Sequence, residues 1–349
     1  MKKTVLTIAA VAAIPFFAHA QSNVTLYGRL NVGIQYIGYS ATPTKASSSL
    51  TAITSDASLW GMRGTEDLGG GNRAYFKLES GIQMDTGALS SAPLFSREAF
   101  VGLGNTNLGS LQLGSQWAPG LWQSLRADPF QRFGPGGQAY LLQISRGYTL
   151  KYDNAIQYMT PKFGGLSGRL YYAAGEGLAT GKANSASIDY DNGPLYIGAY
   201  IDTSRVTAAS VGLAAAGPAV SSRTVSVAAT YDFTSVKLHA QAQANHVDNL
   251  PDVKGYLLGL TVPVGAGQLK ASYTHKSAPN ADASNIGLGY SYPLSKRTSL
   301  YGNVARLTNK GVAAYRVGPA LAEQAALGAA GPVPGQNARS VHFGMMHSF

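Results

Sequence analysis

The feature that most constrains the fold is a strict alternation of apolar and polar residues in short segments. In the segment 73–79, one side is apolar and the other polar or charged: Ala74, Phe76 and Leu78 against Arg73, Tyr75, Lys77 and Glu79. A period of two predicts a β-strand with two unlike faces. An ordinary sandwich strand also alternates, but four successive large polar side chains on one face indicate a face that lines a wet space.

The same alternation recurs along the chain and predicts about sixteen strands. Short connections between them, such as the two-residue turn 234–235, alternate with longer ones, and the loops 204–221 and 309–337 are of low complexity. Alternating short turns and long loops are typical of an up-and-down membrane barrel with both termini on the periplasmic side. The predicted strands are 23–39, 50–66, 72–86, 93–104, 109–117, 147–160, 166–175, 184–192, 194–203, 222–233, 235–247, 253–262, 267–276, 283–292, 297–308 and 338–349.

The first twenty residues have the pattern of a secretory signal peptide. Lys2 and Lys3 precede an apolar run at 5–17, and the small-residue sequence Ala-His-Ala ends at residue 20. Cleavage there leaves residues 21–349 as one unit, and the formal net charge falls from +10 to +8 because Lys2 and Lys3 are removed.

After the signal sequence, composition excludes several classes of protein. No stretch reaches the roughly 18 consecutive apolar residues of a spanning helix, so a helical membrane protein is excluded. The chain has no cysteine, which rules out a disulfide framework and a thiolate metal site. A soluble β-protein and a membrane barrel remain, and 42 Gly, 20 Tyr and only 13% charged residues favour the barrel.

A multi-part motif resembles the Gram-negative general porins, most closely those of the beta-proteobacterial group. WGMRGTEDLGGG begins at Trp60 and is followed by FKLESG and DTG; LFSREAFVGL, ADPF, YDNAIQYMTP, LSKRT and the terminal Phe349 come later in the family order. The resemblance covers nearly all of 21–349. It implies an all-β, sixteen-stranded antiparallel barrel that forms a homotrimer in the outer membrane of a Gram-negative bacterium. Its water-filled pore would pass ions and small hydrophilic solutes by passive diffusion, without a cofactor.

The segment 118–145 is too long for a simple turn and needs a functional explanation. It contains Arg126, Asp128 and Arg132. The residues alone favour a mobile surface loop. The Ala-Asp-Pro-Phe match implies instead the third loop of the family, which folds into the barrel and narrows the pore.

The resemblance also assigns charged residues to the constriction. It implies that Arg97 and Lys151 are basic wall residues facing acidic groups near the third loop, that Glu79 is an acidic partner, and that Asp128 supplies a loop carboxylate. These charges would set a transverse field at the narrowest point, where selectivity arises.

Three positions depart from the family pattern. Leu59, Ser115 and Met346 stand where a basic residue is usual, which weakens the anion preference that the family and the +8 charge suggest. Basic residues on the predicted lumen faces either compensate in part or are solvated at a rim. They are Arg29, Arg73 and Lys77.

Other functions have little support in the sequence. The histidines lack the helical spacing of a metal site, so we expect no bound metal ion. The basic residues are dispersed rather than clustered as in nucleic-acid-binding proteins, so we expect no nucleic-acid partner. The main alternative to a porin is a non-transport outer-membrane or surface β-protein, such as an adhesin. A barrel enzyme is the weakest alternative. Expected partners are outer-membrane lipid and lipopolysaccharide, together with the barrel-assembly machinery through the terminal Phe349.

Overall fold

The computed structural model describes residues 23–142, 149–214, 217–319 and 332–349, so the predicted signal peptide lies outside the described residues. Within these ranges the chain forms seventeen strands and one α-helix, α1, Pro119–Ala127. Two short 3-10 helices lie at Gln138–Tyr140 and Ala209–Val211. The strands are β1 Asn23–Tyr39, β2 Ser48–Ser55, β3 Leu59–Gly69, β4 Asn72–Gly81, β5 Glu98–Asn105, β6 Gly109–Trp117, β7 Lys151–Met159, β8 Leu166–Ala173, β9 Ala183–Asn192, β10 Leu195–Val206, β11 Val220–Asp232, β12 Lys237–Val247, β13 Val253–Val264, β14 Gly267–Ser277, β15 Ala283–Pro293, β16 Thr298–Asn309 and β17 Ala338–Ser348.

The strands close into a single antiparallel barrel. From β3 to β17, consecutive strands pair with each other, and β17 pairs with β1 from Arg29↔Ser348 to Tyr39↔Ala338. Both β2 and β3 pair with β1, one after the other, so together they make one wall strand. The predicted sixteen-stranded antiparallel barrel is therefore confirmed, and the pairing of β1 with β17 closes it.

Two details of the predicted strands differ from the structure. The predicted strand 50–66 is interrupted at 56–58, where Ala57 has φ of 52° and the Asp56 carboxylate accepts a hydrogen bond from the Gly134 N–H at 2.5 Å. The predicted strands 72–86 and 93–104 both extend too far, because β4 ends at Gly81 and β5 begins at Glu98. The segment between them is a loop of sixteen residues with a β-bridge between Ile82 and Leu89.

The two faces of the wall have opposite chemistry. On β1, Val24 and Leu26 point outward and are 63% and 59% exposed, whereas Asn31 and Gln35 point inward and are 1% and 0% exposed. The same outward apolar and inward polar alternation continues around the barrel, for example on β11 and β12. This distribution matches a barrel with lipid outside and polar groups inside. Among the described residues, no helix is both long enough and apolar enough to cross a membrane.

The segment 118–142 lies inside the barrel. The amide oxygen of Gln123, on α1, accepts a hydrogen bond from the Ser226 hydroxyl of β11 at 2.6 Å. Further along the segment, the Gly136 carbonyl accepts one from Ser272 of β14, and the Pro135 carbonyl one from Asn285 of β15, both at 2.8 Å. The segment therefore follows the inner wall and is held by inward-facing polar side chains.

Inward-facing glycines make room for this segment. A Cβ at Gly259 on β13 would lie 2.7 Å from the Pro129 ring, and one at Gly287 on β15 would lie 2.5 Å from the Gly136 Cα. Real Cβ atoms do not approach other atoms that closely. Any larger residue at either position would push the segment away from the wall.

A hydrophobic cluster lies near the end of the barrel opposite the chain termini, here called the loop end. Leu141 of the inward segment packs with Ile37 of β1, Leu307 of β16 and Val317, and all four are at most 1% exposed. The Gln35 amide donates to the Val317 carbonyl at 3.2 Å. The opposite end, where Gly28 and Phe349 exchange backbone hydrogen bonds at 3.1 Å, is called the terminal end.

Candidate pore constriction

Four charged residues form a cluster on the inner wall at β4 and β5. The alternation of β4 places Lys77 and Glu79 on the inner face, and the Glu79 carboxylate, 4% exposed, accepts a hydrogen bond from Arg97 Nε at 2.7 Å. Lys77 Nζ lies 3.1 Å from the same carboxylate, and the Tyr27 hydroxyl donates to it at 2.9 Å. The structure thus brings the predicted residues Arg97, Glu79 and Lys77 into direct contact on one wall, rather than on opposite sides of a pore.

Glu98 completes this cluster and was missed in the sequence. It pairs in register with Glu79 across β4 and β5, is 4% exposed, and accepts a short hydrogen bond from Lys77 Nζ. Two carboxylates therefore match two cations, so the cluster, defined as Lys77, Glu79, Arg97 and Glu98, carries no net charge. The sequence feature that could have predicted its position is the alternation of β5, in which Glu98, Phe100 and Gly102 share the inner face.

Arg29 joins the wall to the inward segment. Its guanidinium lies 4.4 Å from the centre of the Phe133 ring, and its Nη2 donates to the Ala57 carbonyl at 2.9 Å. Within the described ranges, Arg29 forms no ion pair with a carboxylate. Stacking leaves its positive charge uncompensated by direct contact.

Lys151 belongs to a separate group on β6 and β7. Its Nζ donates to Asp153 at 2.8 Å and to the Ser115 hydroxyl at 2.7 Å. The Ser115 hydroxyl in turn donates to Asp153 at 2.6 Å. The cation predicted at Lys151 is therefore paired locally, and Ser115, where the motif resemblance led us to expect a cation, bridges the pair.

Asp128 organises the inward segment itself. It is 1% exposed, and its two oxygens accept backbone hydrogen bonds from Phe130 at 2.8 Å, Arg132 at 3.1 Å and Gln138 at 2.7 Å. Burial raises the pKa of Asp128 to about 6, although the three N–H donors act in the opposite direction. Gln131 and Arg132 both have positive φ, so the carboxylate holds a tight, unusual turn. Its side chain is used to fold the segment and is not presented to an open channel.

The other predicted basic residues lie apart from one another. Arg126, in the last turn of α1, contacts Asp191 at 2.9 Å and lies over the Tyr196 ring at 4.3 Å. Arg132 Nη1 donates to the Ser124 hydroxyl at 3.0 Å. Arg73 is exposed near the terminal end, 5.8 Å from the centre of the Tyr75 ring.

Two other positions where the motif resemblance led us to expect a cation also line the interior. Leu59, 8% exposed, pairs with Arg29 across β1 and β3. Met346 is partly buried and pairs with Asn31 across β1 and β17. In the described parts of the chain, no group of three or more His, Asp or Glu side chains is placed to hold a metal ion.

Comparison with known proteins identifies the family. A family model described as Gram-negative porin matches residues 7–312. The outer membrane porin protein 32 of Delftia acidovorans is 33% identical over 372 aligned positions, which cover all of both chains. An outer membrane porin protein of Bordetella pertussis is 32% identical over 86% of this chain and 93% of that protein.

Solved structures show the same architecture. An anion-selective porin from Comamonas acidovorans superimposes with a TM-score of 0.79 at 28% identity, covering 94% of this chain and all of that one. The trimer form of OmpT from Vibrio cholerae, at 16% identity and a TM-score of 0.65, shares the fold over 94% of this chain and 99% of its own. The resemblance predicted from the motifs is confirmed, and the matched relatives are channels rather than enzymes. The chain therefore belongs to the Gram-negative porin family and is a β-barrel of the bacterial outer membrane.

Proposed function

We propose that the barrel is a passive diffusion channel for ions and small hydrophilic solutes, with a modest preference for anions. The observation that carries the anion preference is the unequal pairing of charges on the inner wall. Glu79 and Glu98 are held by Lys77 and Arg97. The other buried carboxylates, Asp56, Asp128 and Asp202, accept hydrogen bonds from backbone N–H groups or hydroxyls. In the described residues, the inward cations Arg29 and Lys270 have no carboxylate within 4 Å.

The relative of known selectivity supports this sign. The structure from Comamonas acidovorans is described as an anion-selective porin and shares 28% of its sequence with this chain. The loss of cations at Leu59, Ser115 and Met346 reduces the preference here, because fewer positive groups remain at positions that are usually basic. We therefore expect a weaker preference than a chain with all three cations would have.

We also propose that the segment 118–142 narrows the channel. Its contacts with Ser226, Ser272 and Asn285 hold it inside the barrel on three different strands. A segment held there occupies part of the cross-section that a sixteen-stranded barrel leaves open to water. The charges of Arg29 and of the cluster Lys77, Glu79, Arg97 and Glu98 would then lie beside the narrow part.

The same reasoning orients the protein in its membrane. Outward-facing cations lie at the loop end of β10, β11 and β13, namely Arg205, Arg223 and Lys254. At the terminal end the outer face carries aromatic residues instead, including Tyr231, Phe233 and Tyr292, which are 39%, 54% and 43% exposed. Cations suit the phosphates of lipopolysaccharide, so we place the loop end outside the cell and the terminal end in the periplasm.

Assembly is inferred from the relatives and from the C-terminus. We infer a homotrimer, since a related porin fold is known in a trimer form. Phe349 lies 42% exposed on the outer face, its ring over Gly28, at the seam where β17 closes against β1. This location is accessible to the barrel-assembly machinery before the barrel closes.

The zero-current potential of the purified protein in a planar bilayer under a KCl gradient tests the proposed function. We expect a sign that corresponds to anion preference, and Arg29→Gln should lower the anion-to-cation permeability ratio by about 2- to 3-fold, because one unpaired lumen charge is lost. Lys310→Gln, which removes the same charge from an exposed loop position, is the control. Cation preference in the unmodified protein would refute the charge argument.

A further inference from the structure

The inner wall contains a cavity that the constriction does not account for. It has a volume of about 290 Å³ and lies between the tip of the inward segment and the wall formed by β14 to β17. Phe130 and Phe133 line it on the segment side, whereas Lys270, Ser299 and Met346 line it on the wall side. Its rim includes residues at the terminal ends of these strands, so the cavity faces the periplasmic half of the channel.

The cavity has one cation without a carboxylate partner. Lys270 lies on the inner face of β14, two residues from Ser272, which holds the segment. Among the described residues its ammonium makes no ion pair; the nearby Asp128 uses both carboxylate oxygens for backbone N–H groups. A partly buried ammonium that lacks a counter-ion favours a bound anion.

The other residues that line the cavity indicate that the anion has both an apolar and a polar part. Phe130 is 4% exposed, and with Phe133 and Met346 it gives the cavity an apolar side. Small polar groups face it from the wall, including the Ser291 and Ser299 hydroxyls and the Asn303 amide. Binding pockets typically combine an apolar lining with a few placed polar groups, and a volume of about 300 Å³ is the lower end of their range.

We propose that this cavity binds small amphipathic carboxylates from the periplasmic side, with the carboxylate at Lys270 and the apolar body against Phe130 and Phe133. The expected effect of binding on the ionic current rests on the proposed channel function. Phe133 is also the ring on which Arg29 stacks, so the ligand and the unpaired lumen arginine contact the same side chain. Occupancy therefore places a negative charge and added bulk beside the narrow part of the channel and reduces the current.

The test uses benzoate as the probe and acetate as the control that lacks an apolar body. In planar bilayers at fixed KCl, benzoate should reduce the conductance saturably from one side of the membrane only, and acetate should be at least tenfold weaker. Lys270→Gln should raise the half-blocking benzoate concentration at least tenfold, whereas Lys270→Arg should retain the block. The matched control is Lys296→Gln, which removes a cation from an exposed turn at the same end, outside the cavity.

Equal block from both sides, equal potency of acetate and benzoate, or an unchanged block in Lys270→Gln would each overturn the proposal. Binding of benzoate to the detergent-solubilised protein, followed by changes in its NMR signals, reports on the cavity independently of conduction. The conductance and selectivity of each variant without benzoate report on folding and on the proposed function. Loss of the cavity site therefore remains distinguishable from loss of the channel.

Discussion

Two regions of the inner wall carry similar charged residues but use them differently. At β4 and β5, Lys77 and Arg97 contact Glu79 and Glu98, and the cluster is neutral. Across the segment tip at β14, Lys270 faces a cavity with no carboxylate partner among the described residues. We therefore expect the unpaired charges of the lumen, rather than the total number of charges, to determine the electric field there.

Reversing one charge in the neutral cluster should have the largest effect on selectivity. Arg97→Glu places a third carboxylate beside Glu79 and Glu98, with only Lys77 to oppose them, and changes the local charge from zero to −2. Because the charges act over about 8 Å at physiological salt, we expect the permeability ratio to move toward cations by about tenfold. The zero-current potential measures it.

Arg97→Gln serves as the graded control for this experiment, since it removes the cation without adding a carboxylate and should give a smaller shift in the same direction. A permeability ratio that is the same in Arg97→Glu and the unmodified protein would remove the cluster from the ion path.

Loosening the segment tip should change conductance more than selectivity. Asp128→Ala removes the acceptor of three buried N–H groups, and each unsatisfied donor costs about 1–3 kcal/mol. We expect residues 129–138 to leave their position, with a larger single-channel conductance and greater current noise. Hydrogen exchange of the Phe130, Arg132 and Gln138 amides should become faster.

The control for the loop experiment is Asp153→Ala, which removes a carboxylate of the barrel wall that is bonded to Ser115 and Lys151 rather than to the segment. Its exchange rates at 129–138 should match those of the unmodified protein. Unchanged conductance in Asp128→Ala, together with faster exchange, would show that the tip is not what narrows the channel.

Adding a cation at Ser115, where the motif resemblance led us to expect one, should change the ion selectivity least. Ser115→Arg adds a positive charge beside Lys151, but Asp153 already lies 2.6 Å from the Ser115 hydroxyl and would pair with the new guanidinium. We expect a rise in anion preference of less than about twofold. In the double variant Ser115→Arg with Asp153→Asn the added charge is unpaired, so its zero-current potential should indicate a stronger anion preference than that of Ser115→Arg alone.

The strands were predictable from the sequence because a barrel wall imposes a period of two on every segment. The break at 56–58 was not, since its cause is a hydrogen bond between Asp56 and Gly134, which are far apart in the chain. Local alternation contains no information about a loop that returns to the same wall. The same limit explains the ends of β4 and β5, where apolar residues continue past the last paired residue.

The sequence predicted several residues of the candidate site but not the contacts between them. The family motifs indicated Arg97 and Glu79, yet whether they face each other across water or touch depends on cross-strand register and side-chain conformation. Glu98 follows Arg97 directly in the sequence, and its contact with Lys77 depends on the register between β4 and β5. Asp128 was expected to present a carboxylate to the pore, and only the structure shows it turned into the backbone of the segment.

The two inward glycines have a consequence for the inheritance of this channel. Gly259 and Gly287 are encoded far downstream of the segment whose backbone they admit, and neither tolerates a Cβ while Pro129 and Gly136 remain in place. A wall from a related gene that encodes a larger residue at either position would therefore not admit this segment. Exchange of the segment together with β13 to β15 would preserve the fit between the loop and the wall.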